Sequence, residues 1–133
     1  MFVDTDYADS PLSVQLLTRT TARSVIAVAG EVDSSNSDAM QSEILGRLGE
    51  TSSELVVFDL SGLVFLGSAG LRALLRCRDL AEERGSRVEI SQAHENVRQV
   101  LEICGLGDLF HLPPAEPEPA EPDGRRFWAP WWR

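Results

Sequence analysis

Ser68 sits in Gly67-Ser68-Ala69-Gly70, directly after an apolar run and at the head of a helical pattern. A hydroxyl in that place has three uses. It can attack as a nucleophile from a sharp strand-to-helix turn, or cap the free backbone N–H groups of the first helical turn. It can also carry a phosphoryl group, which those N–H groups and the helix dipole favour. The nucleophile needs a glycine two residues earlier, where this chain has Leu66. It also needs a base, yet His94 falls near the start of a third helix and His111 in a last strand. Glu82 and Glu83 lie on the polar side of a helix and read as solvated charges. With these parts missing, the chain reads as a binding protein and not as an enzyme. Capping and phosphorylation both stay open for Ser68.

Cys77 and Cys104 supply the other reactive atoms. Two thiols are too few for a disulfide framework, and with His94 and His111 they lack the spacing of metal ligands, so neither a metal nor a cofactor is expected. Both cysteines read as small buried apolar groups. The alternative is a redox pair altering partner binding, which needs Cα atoms within about 7 Å.

Around these residues the chain alternates strand and helix patterns from Leu12 to Leu112. Leu12–Leu17 and Ser24–Ala29 read as strands close enough for a hairpin, the second closed by Gly30. A first helix follows Asp33, with Ser35 and Asp38 resembling a capping box and Met40, Ile44 and Leu48 at helical spacing. Glu54–Leu60 is nearly continuous in apolar residues, as in a central strand covered on both faces. Val64-Phe65-Leu66 then anchors a loop. In the second helix Leu71, Leu74, Cys77 and Ala81 share one side, opposite Arg72, Arg76, Asp79 and Glu83, and Gly85 ends it. Arg87–Ile90 is a fourth strand, and Val97, Val100, Leu101 and Cys104 mark a third helix that Gly105 terminates. Leu109–Leu112 reads as a short fifth strand. The class is α/β: one domain with a mixed sheet of four to five strands and helices packed on one face.

Composition agrees with one such domain. The chain has 133 residues, 43% hydrophobic and 25% charged, without an apolar stretch of membrane-spanning length. The acidic start, Asp4 and Asp6, is unlike a signal peptide, so a cytoplasmic location is expected. A net charge of -9 with a pI near 4.6 argues against nucleic acid as a partner. All 12 basic residues are Arg, a bias that suits a high-GC bacterial genome. Residues 1–11 read as an N-terminal extension and 12–112 as the domain. Residues 113–133 read as a disordered tail: six of the seven prolines lie there with four carboxylates, ahead of an Arg- and Trp-rich ending that holds all three tryptophans. That ending reads as a frayed or folded-back terminus, or as a docking peptide, since Trp and Arg dominate interface energetics.

Four features together resemble the STAS family, named for sulfate transporters and anti-sigma factor antagonists. They are the stretch from Asp59 to Leu71, the Gly30-Glu31-Val32-Asp33 turn, the Asp59-Leu60-Ser61 strand end, and Val100–Leu106 with Phe110 beyond it. The resemblance covers about Leu12 to Leu112. It implies a STAS-type fold and an anti-sigma factor antagonist: a protein that binds an anti-sigma factor, often an ATP-dependent serine kinase, and frees a sigma factor by partner switching. The expected contact residues are Asp33, Gly67, Ser68, Ala69, Gly70, Leu71, Arg72 and Arg76, because a helix start with free N–H groups beside two arginines makes a polar surface that an acidic partner patch could match. The family's usual pattern, Asp-Ser-Ser-Gly or Asp-Ser-Thr-Gly, is phosphorylated on its second hydroxyl. Here that position is Ala69 and the leading Asp is Gly67, which leaves Ser68 as the remaining hydroxyl of the loop. The rival implied by the same resemblance is a STAS subunit of a lipid-transport or sensor-scaffold complex.

Overall fold

The computed structural model describes residues 12–113. The expected N-terminal extension and all but the first residue of the expected tail lie outside them. The elements are β1 (Ser13–Arg19), β2 (Arg23–Val32), α1 (Ser37–Leu48), β3 (Leu55–Leu66), α2 (Ser68–Glu83), β4 (Arg87–Ala93) and α3 (Glu95–Ile103). The strands form one sheet in the order β1-β2-β3-β4. β1 pairs antiparallel with β2 as the short connection requires, while β2, β3 and β4 run parallel. Parallel neighbours need crossover connections, and α1 and α2 supply them.

Alternation along β2 decides which face is covered. Ser24, Ile26, Val28, Gly30 and Val32 are buried, while Val25, Ala27, Ala29 and Glu31 between them are only partly so. Opposite Ile26 lie Leu16 and Phe58, and opposite Phe58 lies Ile90. These belong to one core cluster that also takes Met40 and Ile44 from α1, Leu74 and Cys77 from α2, and Val97 and Leu101 from α3. All three helices therefore pack on the same face. Burying each large apolar side chain stabilises the fold by roughly 1.5–3 kcal/mol, so the many fully buried ones hold the sheet to its helices.

Three elements differ from the sequence expectation. Gly30 does not close β2; it sits within the strand at φ 112, beside a register shift, and pairing continues to Val32. Val64-Phe65-Leu66 is not a loop but the last part of β3, which resumes pairing with Glu31 and Val32 after an irregularity at Ser61-Gly62. There Asp59 Oδ1 accepts from the Ser61 amide and hydroxyl at 3.0 and 2.7 Å. The expected fifth strand at Leu109–Leu112 is a turn. Phe110 is buried in the core, but the segment's only backbone hydrogen bond to the sheet among the described residues is Ile90 N–H donating to the Phe110 carbonyl at 3.0 Å, before His111 takes a positive φ of 52.

Candidate partner-binding surface

The parallel register of β2 and β3 brings their carboxyl ends side by side, Val32 opposite Leu66. One residue beyond each end the chain turns, at Asp33 and at Gly67. The Gly67 amide donates to the Val32 carbonyl at 2.9 Å and fastens the two exits together. The Asp33 turn and the start of α2, far apart in sequence, thus form one surface at the end of the sheet.

The Asp33 turn is held by short-range polar contacts. Asp33 Oδ1 accepts from the Ser35 amide at 2.9 Å and the Ser35 hydroxyl at 2.6 Å. Asn36 Oδ1 accepts from the Asp33 amide at 2.9 Å, and Asn36 Nδ2 donates to the Glu31 carbonyl at 2.8 Å. The Ser35 hydroxyl above all, then the Ser35 amide, holds the exposed Asp33 carboxyl below its ordinary value of 3.8. The expected Ser35–Asp38 capping box does not form, because Ser35 is spent on Asp33 and α1 begins after Asn36 at Ser37.

At the second exit Gly67 is the N-cap of α2, with extended φ and ψ of -81 and 178, and Ser68 is the first helical residue. Ser68 is therefore not the N-cap expected from the sequence, and no side chain among the described residues caps this helix. The first helical bond, Leu71 N–H to the Gly67 carbonyl at 2.9 Å, leaves the amides of Ser68 and Ala69 without an intrahelical acceptor. Ser68 is exposed and Ala69 half-buried, so the Ser68 hydroxyl stands at the helix mouth with no capping duty.

The remaining expected contact residues divide by burial. Gly70 and Leu71 are buried, which removes them from the surface. A Cβ on Gly70 would come within 2.6 Å of Val32 Cγ1 and 2.7 Å of Leu66 Cδ1, so only glycine lets the first turn of α2 lie on the strand ends. Arg72 and Arg76 are exposed one turn apart, and neither joins an ion pair among the described residues; Arg76 Nη1 donates to Gln41 Oε1 at 3.5 Å. Sequence reasoning missed Phe65, which is 50% exposed next to the loop. Its Cε2 lies 3.5 Å from where a Gly67 Cβ would stand. Nothing in Leu63-Val64-Phe65-Leu66 alternates cleanly enough to have revealed this.

The other reactive residues stand elsewhere. Cys77 is buried in the α1–α2 contact with its sulfur 3.9 Å from the Gln41 carbonyl, whereas Cys104 is exposed at the C-cap of α3, contrary to the burial expected for both. Both thiols are free. Burial pushes the Cys77 thiol up to about 12, against a smaller lowering by Arg76. His94 has a structural role: Nδ1 accepts from the Asn96 amide at 3.1 Å and caps α3.

A mixed four-strand sheet with its helices on one face, and a helix opening at the paired exits of two parallel strands, defines the class. Residues 14–118 match the family model described as STAS domain, and the chain belongs to that family. It is 26% identical over 91 residues to the anti-sigma-F factor antagonist RsfA of Mycobacterium tuberculosis, spanning 68% of this chain and 71% of that protein. Among solved structures, an anti-sigma factor antagonist from Mycobacterium paratuberculosis superposes with a TM-score of 0.64 at 24% identity, covering 75% of this chain and 83% of that one. The antagonist SpoIIAA, solved in its unphosphorylated form, gives 0.60 at 23% identity over 72% and 84% of the two chains. The fold is shared with these antagonists, and the relatives are regulatory proteins.

Proposed function

We propose that this protein is an anti-sigma factor antagonist that binds an anti-sigma factor in the cytoplasm and releases the sigma factor held there. What supports the reading is the joining of the Asp33 turn to the Gly67–Ala69 start of α2, with Arg72 and Arg76 exposed on that helix and in no ion pair among the described residues. Two exposed guanidinium groups beside free helix N–H groups match an acidic patch on a partner, and charge complementarity of this kind fixes register and speeds encounter. The chain as a whole is acidic, so these arginines are a local exception.

Ala69 sets this antagonist apart. A phosphoryl group adds close to two negative charges, enough to block a packed interface by repulsion and desolvation. SpoIIAA has also been solved in a phosphorylated form. With a methyl group at position 69, the usual acceptor hydroxyl is missing, and the antagonist stays competent to bind a kinase partner that holds ATP. Ser68 is the one hydroxyl left in the Gly67–Gly70 loop and the substitute acceptor there.

A pull-down with the full chain from its source organism, followed by mass spectrometry, tests the partner. Recovery of an ATPase of the histidine-kinase-like fold is expected. Recovery of a transporter ATPase or a sensor complex in its place would favour the rival role as a scaffold subunit.

A further inference from the structure

The helices leave the second face of the sheet to the strands alone among the described residues. Val25, Ala27, Ala29 and Glu31 of β2 stand on it, opposite Val57, Asp59 and Phe65 of β3. The β1 irregularity adds Leu17 next to Thr18, the partner of Val25. Leu17 is 55% and Phe65 50% exposed, large apolar side chains at opposite ends of the face. Its charges are Glu31, Asp59 and Glu89 against Arg23 and Arg87, a small acidic excess whose carboxylates Glu31 and Asp59 lie toward the end away from Arg23. Arg87 answers Glu89 at 2.6 Å, but the Glu31 carboxylate meets no cation among the described residues.

Two segments of the chain could cover this face, and charge chooses between them. Residues 1–11 carry Asp4, Asp6 and Asp9 and no cation, so they would set carboxylates against carboxylates. Residues 125–133 carry Arg125, Arg126 and Arg133 around Phe127, Trp128, Trp131 and Trp132. Reach permits the second. The chain leaves the described domain at the β4 side, where Arg98 Nη1 donates to the Pro113 carbonyl at 2.8 Å. Fully extended, a proline-rich stretch as long as 114–126 would reach about 40 Å at ~3.1 Å per residue. The four-strand sheet is only about 15 Å across at ~4.8 Å per strand spacing. An extended 127–132 segment is about 20 Å long, close to the run from Val25 to Glu31 at ~3.3 Å per residue.

We infer that the aromatic segment 127–132 of this same chain docks on the open face of the sheet, its rings against Leu17, Val25 and Phe65 and its arginines toward Glu31 and Asp59. This inference does not depend on the identity of the partner at the Asp33–Gly67 surface. Aromatic rings in contact with apolar side chains supply the attraction, and the arginines supply the orientation.

The full chain reports on itself, because all its tryptophans lie in that segment. Trp emission and acrylamide quenching are to be compared between the intact protein and a synthetic peptide of residues 114–133. Docking predicts emission shifted to shorter wavelength and quenching reduced at least twofold relative to the peptide, with no change on dilution. Leu17→Ser and Glu31→Arg, each checked for a native circular dichroism spectrum, should move both readings toward the peptide. Peptide-like emission in the intact protein would overturn the inference without needing any variant. Shifted emission that ignores both substitutions would put the segment on another surface, and a shift that fades on dilution would put it on a second copy; either result overturns it.

Discussion

The two ends of the parallel strands treat similar residues in opposite ways. At the amino end of β2 and β3, hydroxyls are closed on one another: Ser24 Oγ lies 2.6 Å from Thr51 Oγ1 and also bonds Ser53, whose hydroxyl reaches the Thr20 carbonyl. Arg84 donates to the Leu48 and Thr51 carbonyls at 3.0 and 3.1 Å, and Ser86 Oγ to the Ser53 carbonyl at 2.7 Å. Ser24, Thr51 and Ser53 are all buried. At the carboxyl end Asp33, Ser68, Arg72 and Arg76 are all exposed; Asp33 is held by Ser35, but among the described residues Arg72 and Arg76 have no ion pair and no side chain caps the first turn of α2. Polar groups that satisfy each other hold a fold together, and polar groups left unsatisfied at the surface are what a partner can complete. We propose that the closed end serves stability and the open end recognition.

Charge reversal should separate the ends most sharply. Arg72→Glu with Arg76→Glu should weaken partner binding on the order of a hundredfold, since like charges facing across an interface cost several kcal/mol. The melting temperature should hardly move, as both side chains are exposed and join no ion pair among the described residues. Calorimetric titration gives the first and thermal unfolding the second; an unchanged affinity would move the interface elsewhere.

The converse change belongs to the closed end. Ser24→Ala leaves the Thr51 and Ser53 hydroxyls short of a partner and should cost about 1–3 kcal/mol of stability, measured by denaturant unfolding, with affinity intact. Gly70→Val joins the two ends. Its side chain meets Val32 and Leu66, so overpacking of about 1–3 kcal/mol should come with weaker binding as the first turn of α2 is displaced.

Smaller effects should appear in titration. The thiol of Cys77 binds its proton more tightly in the fold, so its contribution to stability is full below pH 9 and is lost as pH climbs from 9.0 toward 12. Cys77→Ala should flatten that alkaline loss in unfolding curves. In the native protein a thiol reagent should label Cys104 quickly and Cys77 only on unfolding. Asp33 works in the other direction. Its lowered pKa means a contribution present at neutral pH and lost as pH falls below 3.8 and through the lowered value. Asp33→Asn should remove this small acid sensitivity.

The helices and the first four strands were legible because their patterns are strong. The Glu54–Leu60 run marked a central strand, although the described helices cover one of its faces and not both as expected, and the α2 stripe marked the face that buries Leu74, Cys77 and Ala81. Gly85 duly follows α2 at φ 96. What failed depends on tertiary contacts. Ser61-Gly62 looks like the end of a strand, yet Asp59 folds it into an irregularity and pairing resumes. Ser68 looks like a cap, but the Gly67–Val32 hydrogen bond fixes Gly67 in that position. Leu109–Leu112 has the apolar content of a strand, but among the described residues only the Phe110 carbonyl hydrogen-bonds to β4. At the site, the exposed Arg72 and Arg76 followed from helical spacing, whereas the burial of Gly70 and the exposure of Phe65 required the β2–β3 register.

The direct test is release of the sigma factor. The full chain, mixed with the preformed complex of sigma factor and anti-sigma kinase in the presence of ATP, is followed by native mass spectrometry. The expected result is free sigma factor, with this chain bound to the kinase at its unmodified mass, while Ala69→Ser gains one phosphate and loses the kinase. Contradiction would be no release by the wild-type chain, or a stoichiometric phosphate on Ser68 that abolishes its binding.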